Sequence, residues 1–276
     1  MLIDIGSDLH IDINYQFGDF DFEANKHEGS EVLVLAGDLA NNPEFAIYLL
    51  EEAAKVYPQV VFVDGNHEHY SSKKLNMSVA ETMELFRLLA KRIGNLYYLD
   101  GKTTFRHREI LFVGANAWYD FNYAPSQYPR QFVHNTWMSE MNDSQCIIFD
   151  KPPEVYAEEQ ANEILQNVVM AQLNRRIKQI VVVTHTLSNR RGLVYKNNPT
   201  WDMLNGAYGN KHMEKVFAAD DAKKIVLAIC GHTHYQYDFK DGHVRWVVNP
   251  RGYHGVDRDV SRWFLVQVDT DEKVLY

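Results

Sequence analysis

Short, unbroken apolar runs separated by amphipathic stretches organise the chain. "MLIDIGS" (1–7), "EVLVLAG" (31–37) and "QVVFVDG" (59–65) are β-rich with little polar alternation, as in strands buried on both faces. Between the second and third lies "NPEFAIYLLEEAAKVYP". Asn42 suits an N-cap and Pro43 the first helical position; Ala46, Leu49, Leu50, Ala53 and Tyr57 then share one face. "SVAETMELFRLLAKRIG" (78–94) predicts a second helix, opened by the capping-box pair Ser78 and Glu81 and closed near Gly94. Strand patterns follow in "NLYYL", "TTFRH" and "ILFVGANAW". A long helix is expected over 154–178, then a strand in "QIVVVTH", a short helix near 211–221 and a strand in "KIVLAICG". "YQYDFKDGHVRWVVNP" reads as a hairpin with Asp241-Gly242 in its turn, and "RWFLVQVD" and "KVLY" as closing strands. Residues 119–153 and 186–210 are irregular, and the first is long enough to indicate an excursion with a function. Strand–helix alternation followed by β-rich hairpins implies a layered α/β fold with a mixed sheet or two stacked sheets.

Composition narrows this picture. The chain has 276 residues, 46% of them apolar, which suits one large domain over 1–276 with the excursion at 119–153. A net charge of -9 opposes broad coating of nucleic acid, so no extended nucleic-acid surface is expected, while a small phosphorylated substrate or nucleotide is compatible. Cys146 and Cys230 stand far apart; they imply no disulfide framework and fit a reducing cytoplasm. No apolar run of about 18 residues occurs, so no membrane span is expected. The N-terminal segment lacks the basic and apolar regions of a cleavable leader, and a cytoplasmic location is expected. The pattern carries no indication of oligomeric state.

Chemistry concentrates where apolar runs end. "GSDLHID" places Asp8 and His10 after the first strand, "AGDLANN" Asp38 after the second, and "DGNHEHY" Asn66 and His67 after the third. "VTHTLS" and "CGHTHYQ" place His185, His232 and His234 after later strands. The C-terminal edge of an α/β sheet is where ligands bind, so separate loops deliver carboxylates, an amide oxygen and imidazoles to one place. Imidazole with carboxylate suits Mn, Fe, Zn or Ni, and no thiolate makes the site soft. So many donors exceed one ion's needs; two ions sharing a carboxylate, roughly 3.5–4 Å apart, fit better.

Taken in order, Asp8-Leu9-His10, Gly37-Asp38, Gly65-Asn66-His67-Glu68, His185 and Gly231-His232-Thr233-His234 resemble the motif set of the calcineurin-like metallophosphoesterases. The resemblance implies a four-layer α/β/β/α sandwich of two mixed β-sheets flanked by helices, around two divalent metal ions, with Mn favoured. It implies that Asp8, His10 and His234 hold one ion, that Asn66, His185 and His232 hold the other, and that Asp38 bridges them. It further implies attack by metal-activated hydroxide on a phosphate mono- or diester, with His67 as the catalytic acid. A protein serine/threonine phosphatase, a nuclease and a non-catalytic scaffold are the alternatives.

The chain departs from several phosphatase branches at Gly37-Asp38-Leu39-Ala40-Asn41-Asn42, where Asn41 replaces an Asp that supports the catalytic His and no Arg follows. Arg251, in "NPRGYHG", either supplies the missing phosphate contact or pairs with surface carboxylates; Tyr253 and His254 are candidates for the same rim. Asp64 is expected to cap its loop and Glu68 to hold the backbone of the turn. The aromatic residues of 118–138 either stack a substrate ring or pack the excursion onto the core, and Phe17, Phe20 and Phe22 carry the same two readings. Arg190-Arg191 reads as a solvated pair, with an outer-phosphate contact as the other possibility. His134 and His212 have no motif partner and are not expected to be ligands.

Overall fold

The computed structural model describes residues 1–14, 20–70 and 72–271, with Ser72 and Lys73 described in their backbone alone. In chain order the strands are β1 (Leu2–Gly6), β2 (Val32–Ala36), β3 (Gln59–Val63), β4 (Leu96–Tyr98), β5 (Phe105–His107), β6 (Ile110–Ala115), β7 (Gln179–Thr184), β8 (Ile225–Cys230), β9 (Tyr237–Asp241), β10 (Val244–Val248) and β11 (Val266–Asp269). The helices are α1 (Phe22–Asn25), α2 (Pro43–Val56), α3 (Ser72–Leu75), α4 (Val79–Arg92), α5 (Arg130–Glu140), α6 (Asp143–Cys146), α7 (Pro153–Leu173), α8 (Pro199–Leu204) and α9 (Glu214–Ala218).

Alternation along each strand creates the layers. In β2, Val32, Val34 and Ala36 face Val181 and Val183 of β7 and Leu227 and Ile229 of β8 across the gap between two sheets. The intervening Leu33 and Leu35 face outward onto Ala46, Leu49 and Leu50 of α2 and Phe86 of α4. On the other sheet, Ile180 and Val182 face Ile164 and Val168 of α7 and Val216 of α9. Two mixed sheets packed face to face and flanked by helices result, the α/β sandwich that the motif resemblance implied. One sheet has the order β11-β1-β2-β3-β4, the other β5-β6-β7-β8-β10-β9. β1 to β4 run parallel with β11 antiparallel at the edge; β6, β7, β8 and β10 run parallel between antiparallel β5 and β9. The C-terminal ends of β1, β2, β3, β7 and β8 therefore share one edge of the sandwich. No helix among the described residues is long and apolar enough to cross a membrane.

Local expectations meet the structure with some corrections. Asn42 caps α2 and Ser78 with Glu81 forms the full capping box of α4. The long helix α7 ends at Leu173 instead of 178, because Lys224 Nζ caps it by donating to the carbonyls of Ala171, Gln172 and Asn174. β6 stops at Ala115; Ala117 and Trp118 turn left-handed, at φ 66° and 24°. The hairpin turn is centred on Gly242-His243, one residue later than Asp241-Gly242, since Asp241 still pairs with Val244 and Gly242 takes φ 60°. The expected strand "KVLY" and Phe17 lie outside the described residues.

Candidate metal centre

The residues after β1, β2, β3, β7 and β8 converge. Asp8, His10, Asp38, Asn66, His67, His185 and His232 are buried, and His234 nearly so. Turning side chains inward so soon after a strand takes unusual backbone: Asp8, His10, Asp38, His232 and His234 have φ of 53°, 44°, 56°, 73° and 54°. For residues with a Cβ such conformations cost about 1–3 kcal/mol each and cluster at functional sites. Two glycines permit the approach. A Cβ on Gly65 would lie 2.1 Å from Asp38 Oδ1, and one on Gly37, itself at φ 81°, 2.6 Å from His185 Nδ1.

Asp38 sits at the centre. Its Oδ2 lies 3.2 Å from His185 Nε2, 3.8 Å from His67 Nε2 and 3.9 Å from His10 Nε2. Ligand atoms of Asp8, His10, Asp38 and His234 gather on one side, and those of Asp38, His185 and His232 on the other, each set lying within 4.8 Å. Asn66 Oδ1 joins the second set, 3.0 Å from His185 Nε2. Outer partners orient the imidazoles. His185 Nδ1 bonds to the Ala36 carbonyl at 2.9 Å, His234 Nδ1 to Asp257 at 2.6 Å, and His232 Nε2 to the Ala207 carbonyl at 3.0 Å. His185 and His234 thus present Nε2 to the site, and His232 presents Nδ1.

Burial alone would lower every imidazole here. His10 lies well below its ordinary value through burial and the nearby His67 and His234; burial and His185 push His232 down to about 4. Both are neutral and ligand-ready. For His185 and His234 the same burial is outweighed, by Asp38 in one case and by Asp257 and Asp8 in the other, and each rises to about 10. Burial would raise Asp38, yet His185 and His67 hold it well below the usual carboxylate range. Asp38, Asp8 and Asp257 thus favour positive charge beside them, which divalent cations would also supply, and the N/O donor set fits such ions.

Around this core, Glu68 holds the turn, as expected. It is buried and accepts backbone N–H groups from Gly65 (2.6 Å), Asp38 (3.0 Å) and Leu39 (2.5 Å), so it ties the β2 and β3 loops together. Asp64 does not cap its loop as expected: among the described residues its partners are side chains, and it accepts from His69 Nε2 and Tyr98 Oη at 2.8 and 2.7 Å. Asn41 supports His67, whose Nδ1 lies 2.5 Å from Asn41 Oδ1. The opposite ring nitrogen meets Tyr253 Oη at 3.2 Å, and Tyr70 stacks on the ring at 4.0 Å. Burial lowers His67 by more than Asp38 and Asp143 restore.

Other candidates fall elsewhere. Arg251 is 5% exposed, with Nη1 3.5 Å from the Leu9 carbonyl and its guanidinium over Phe20; among the described residues it faces neither the cleft nor a surface carboxylate. His254 lies 3.8 Å from Asp259. Trp118, Tyr119, Phe121, Tyr123 and Trp137 are buried in the core, as are Phe20 and Phe22, so they pack the chain there and do not line the cleft. Arg190 and Arg191 bond to the carbonyls of Asn122 and Lys240 and cover Tyr123 and Phe239. His134 packs on Phe121 and Trp137, and His212 approaches Asp120.

The cluster opens into a cleft of about 340 Å³. Glu140, Met141 and Asn142 of the excursion form part of its wall; Trp201, Tyr208, Tyr235 and Tyr253 supply rings, and Lys196 is the one Lys or Arg side chain in its described lining. Its Nζ sits 3.6 Å over the Trp201 ring. A larger cavity, about 540 Å³ between α4 and α7, contains none of the candidate ligands. Lys196, Trp201, Tyr208, Asp257 and Asp143 were not singled out from sequence, because each belongs to a segment with no motif.

A model of the calcineurin-like phosphoesterases matches residues 1–236. The chain belongs to the calcineurin-like phosphoesterase family. The match spans every candidate ligand from Asp8 to His234 and ends before the Arg251–Tyr253 loop. An uncharacterized protein of Acanthamoeba polyphaga mimivirus is 19% identical over 244 residues, which cover 86% of this chain and 84% of that relative. Among solved structures, a phosphopantetheinyl hydrolase from Mycobacterium tuberculosis superposes with a TM-score of 0.71 at 16% identity, over 96% of this chain and 95% of the other. A dimetal phosphatase from Danio rerio does so with 0.52 at 11% identity, over 97% and 91%. At these identities the structural likenesses establish the shared calcineurin-like phosphoesterase fold.

Proposed function

We propose that the chain is a metal-dependent phosphoesterase that hydrolyses a phosphate mono- or diester of a small molecule or nucleotide. The observation that carries this reading is Asp38, flanked by Asp8, His10 and His234 on one side and by Asn66, His185 and His232 on the other. These seven residues would hold two divalent ions, with Asp38 shared; the N/O set suits Mn, Fe, Zn or Ni, and Mn is the ion of choice for assay. Ions so held would lower the pKa of a bound water and offset the charge of phosphoryl oxygens.

The chain's own groups do the rest. Asn66 contributes a neutral oxygen, which keeps the charge of the centre more positive than a carboxylate would. His67, fixed through Nδ1 by Asn41, turns Nε2 towards the cleft and Tyr253. An approaching phosphate favours the protonated imidazole, which then protonates the departing oxygen. Tyr253 Oη orients that nitrogen and contacts substrate. Lys196 meets an outer anionic group. The walls built by Glu140–Asn142 and the rings opposite favour a small substrate over a folded protein. The name of the phosphopantetheinyl hydrolase agrees with a small phosphorylated group. Arg251, turned inward, is left out of substrate binding.

With Mn²⁺, the purified chain should hydrolyse a generic aryl phosphate ester. His67→Ala should lower the rate by about 10²–10⁴-fold and leave bound metal unchanged. Equal turnover would remove His67 from the reaction, and a parent inert towards every ester would favour a binding scaffold. Aryl monoester against aryl bis-ester separates the two reaction types.

A further inference from the structure

We infer that Asp143, from the excursion at 119–153, is a positioning residue that decides which end of the Asn66 side-chain amide faces the metal-ligand cluster. The inference rests on the two-ion reading above. Asp143 is fully buried, and no basic side chain pairs with it among the described residues. Its Oδ1 accepts from Asn66 Nδ2 at 2.9 Å and from Tyr70 Oη at 2.6 Å; its Oδ2 accepts from Tyr119 Oη at 2.8 Å.

The two ends of an amide have nearly the same shape and opposite chemistry. A half-turn of Asn66 would cost little in packing but would point N–H groups, which bind no cation, at the cluster. Both Asp143 oxygens accept, from Asn66 Nδ2, Tyr70 Oη and Tyr119 Oη, so Asp143 holds Nδ2 and leaves Oδ1 turned towards His185, 3.0 Å from its Nε2. The reversed amide would set oxygen against oxygen. The network behind Asp143 is directional as well. Trp137 Nε1 donates to Tyr119 Oη at 2.9 Å, which commits the Tyr119 hydrogen to Asp143. Tyr70, anchored on the same carboxylate, is the ring stacked on His67. Asp143 therefore sets both an oxygen donor and the face of the acid, and this gives the excursion a function beyond walling the cleft.

The test uses the full chain with Asp143→Ala and Asp143→Asn. Mn²⁺ affinity and stoichiometry are read by calorimetry and elemental analysis, kcat and KM with the aryl ester. Asp143→Ala is expected to lower Mn²⁺ affinity or kcat by about 10–100-fold, the range for partners behind ligands, with KM little changed. Asp143→Asn should recover part of the loss, because its Oδ1 still accepts from Asn66. A folded alanine variant with the parent's Mn²⁺ affinity and kcat would overturn the inference. If alanine prevents folding, Asp143→Leu, close to Asp in shape and without an acceptor for Asn66, decides: parent-like affinity and kcat there would also sink it. A parent that binds no Mn²⁺ and cleaves no ester would overturn the underlying function, and this inference with it. A metal-replete, active parent with indifferent variants overturns the inference alone.

Discussion

Asp4 and Asp8 follow one another along β1 and its loop, and both are buried beside histidines, yet the surroundings of the two carboxylates differ in kind. Asp4 accepts from the backbone N–H and Nδ1 of His27 (both 3.0 Å), from Ser30 Oγ (2.7 Å) and from Tyr57 Oη (2.6 Å). Four donors use up what a carboxylate accepts, and nothing is left for a ligand. Asp8 accepts from Ser7 Oγ and from the His232 backbone N–H, and still faces His234 Nε2 at 3.4 Å. Asp38 takes the His67 backbone N–H on Oδ1 and turns Oδ2 to three imidazoles. Buried Asp and His together are thus not sufficient for a metal centre. What matters is whether outer hydrogen bonds consume the donor atoms or aim them at a shared point.

The comparison can be broken by experiment. The largest effect is expected from Asp38→Ala, which should abolish Mn²⁺ uptake at one or both positions and lower turnover by more than about 100-fold, beyond the range for outer partners. Retained metal and activity would mean that Asp38 is as structural as Asp4. Next, Asp4→Ala orphans the buried donors of Ser30 and Tyr57, at about 1–3 kcal/mol each. Urea denaturation should show the loss while Mn²⁺ stoichiometry and KM stay at parent values. A change in metal content would show that Asp4 does not belong to a separate, purely structural cluster. Gly65→Ala tests the close approach to Asp38. Overpacking of this kind costs about 1–3 kcal/mol, and here it should reduce metal affinity together with stability, in contrast to Asp4→Ala.

The smallest effect concerns a third carboxylate, Asp220, bonded to His243, Gln172 and the backbone of Lys224 and Ile225. Burial would raise Asp220, but these donors, His243 foremost, hold it below its ordinary value. A carboxyl lower in the folded than in the unfolded chain stabilises above the unfolded value, and that contribution drains away as pH falls through the folded one. The stability gap between parent and Asp220→Asn should therefore be widest near neutrality and narrow below about pH 4. A gap independent of pH would assign the loss to packing.

Much of the candidate site was legible because metal ligation would restrict residue type and strand ends restrict position. Asp8, His10, Asp38, Asn66, His67, His185, His232 and His234 could be picked out from apolar runs that end in donor residues. Glu68 could be read as a brace for its turn. The excursion could not be resolved, since its aromatic side chains suit a binding wall and a packed cluster equally well until burial separates them. Arg251 followed the same logic: a guanidinium beside a phosphate site reads as a ligand in one dimension, and only the turn of the chain sends it under Phe20. The end of α7 depended on Lys224, remote in sequence.

The sequence by itself determined the layered fold class and the kinds and order of donor atoms, because strand periodicity and side-chain chemistry are local properties. Tertiary structure decided which atom of each donor points inward. Hydrogen bonds such as that between Asp143 and Asn66, 77 positions apart, occupy one end of a side chain and free the other, and no local pattern encodes a partner at that distance.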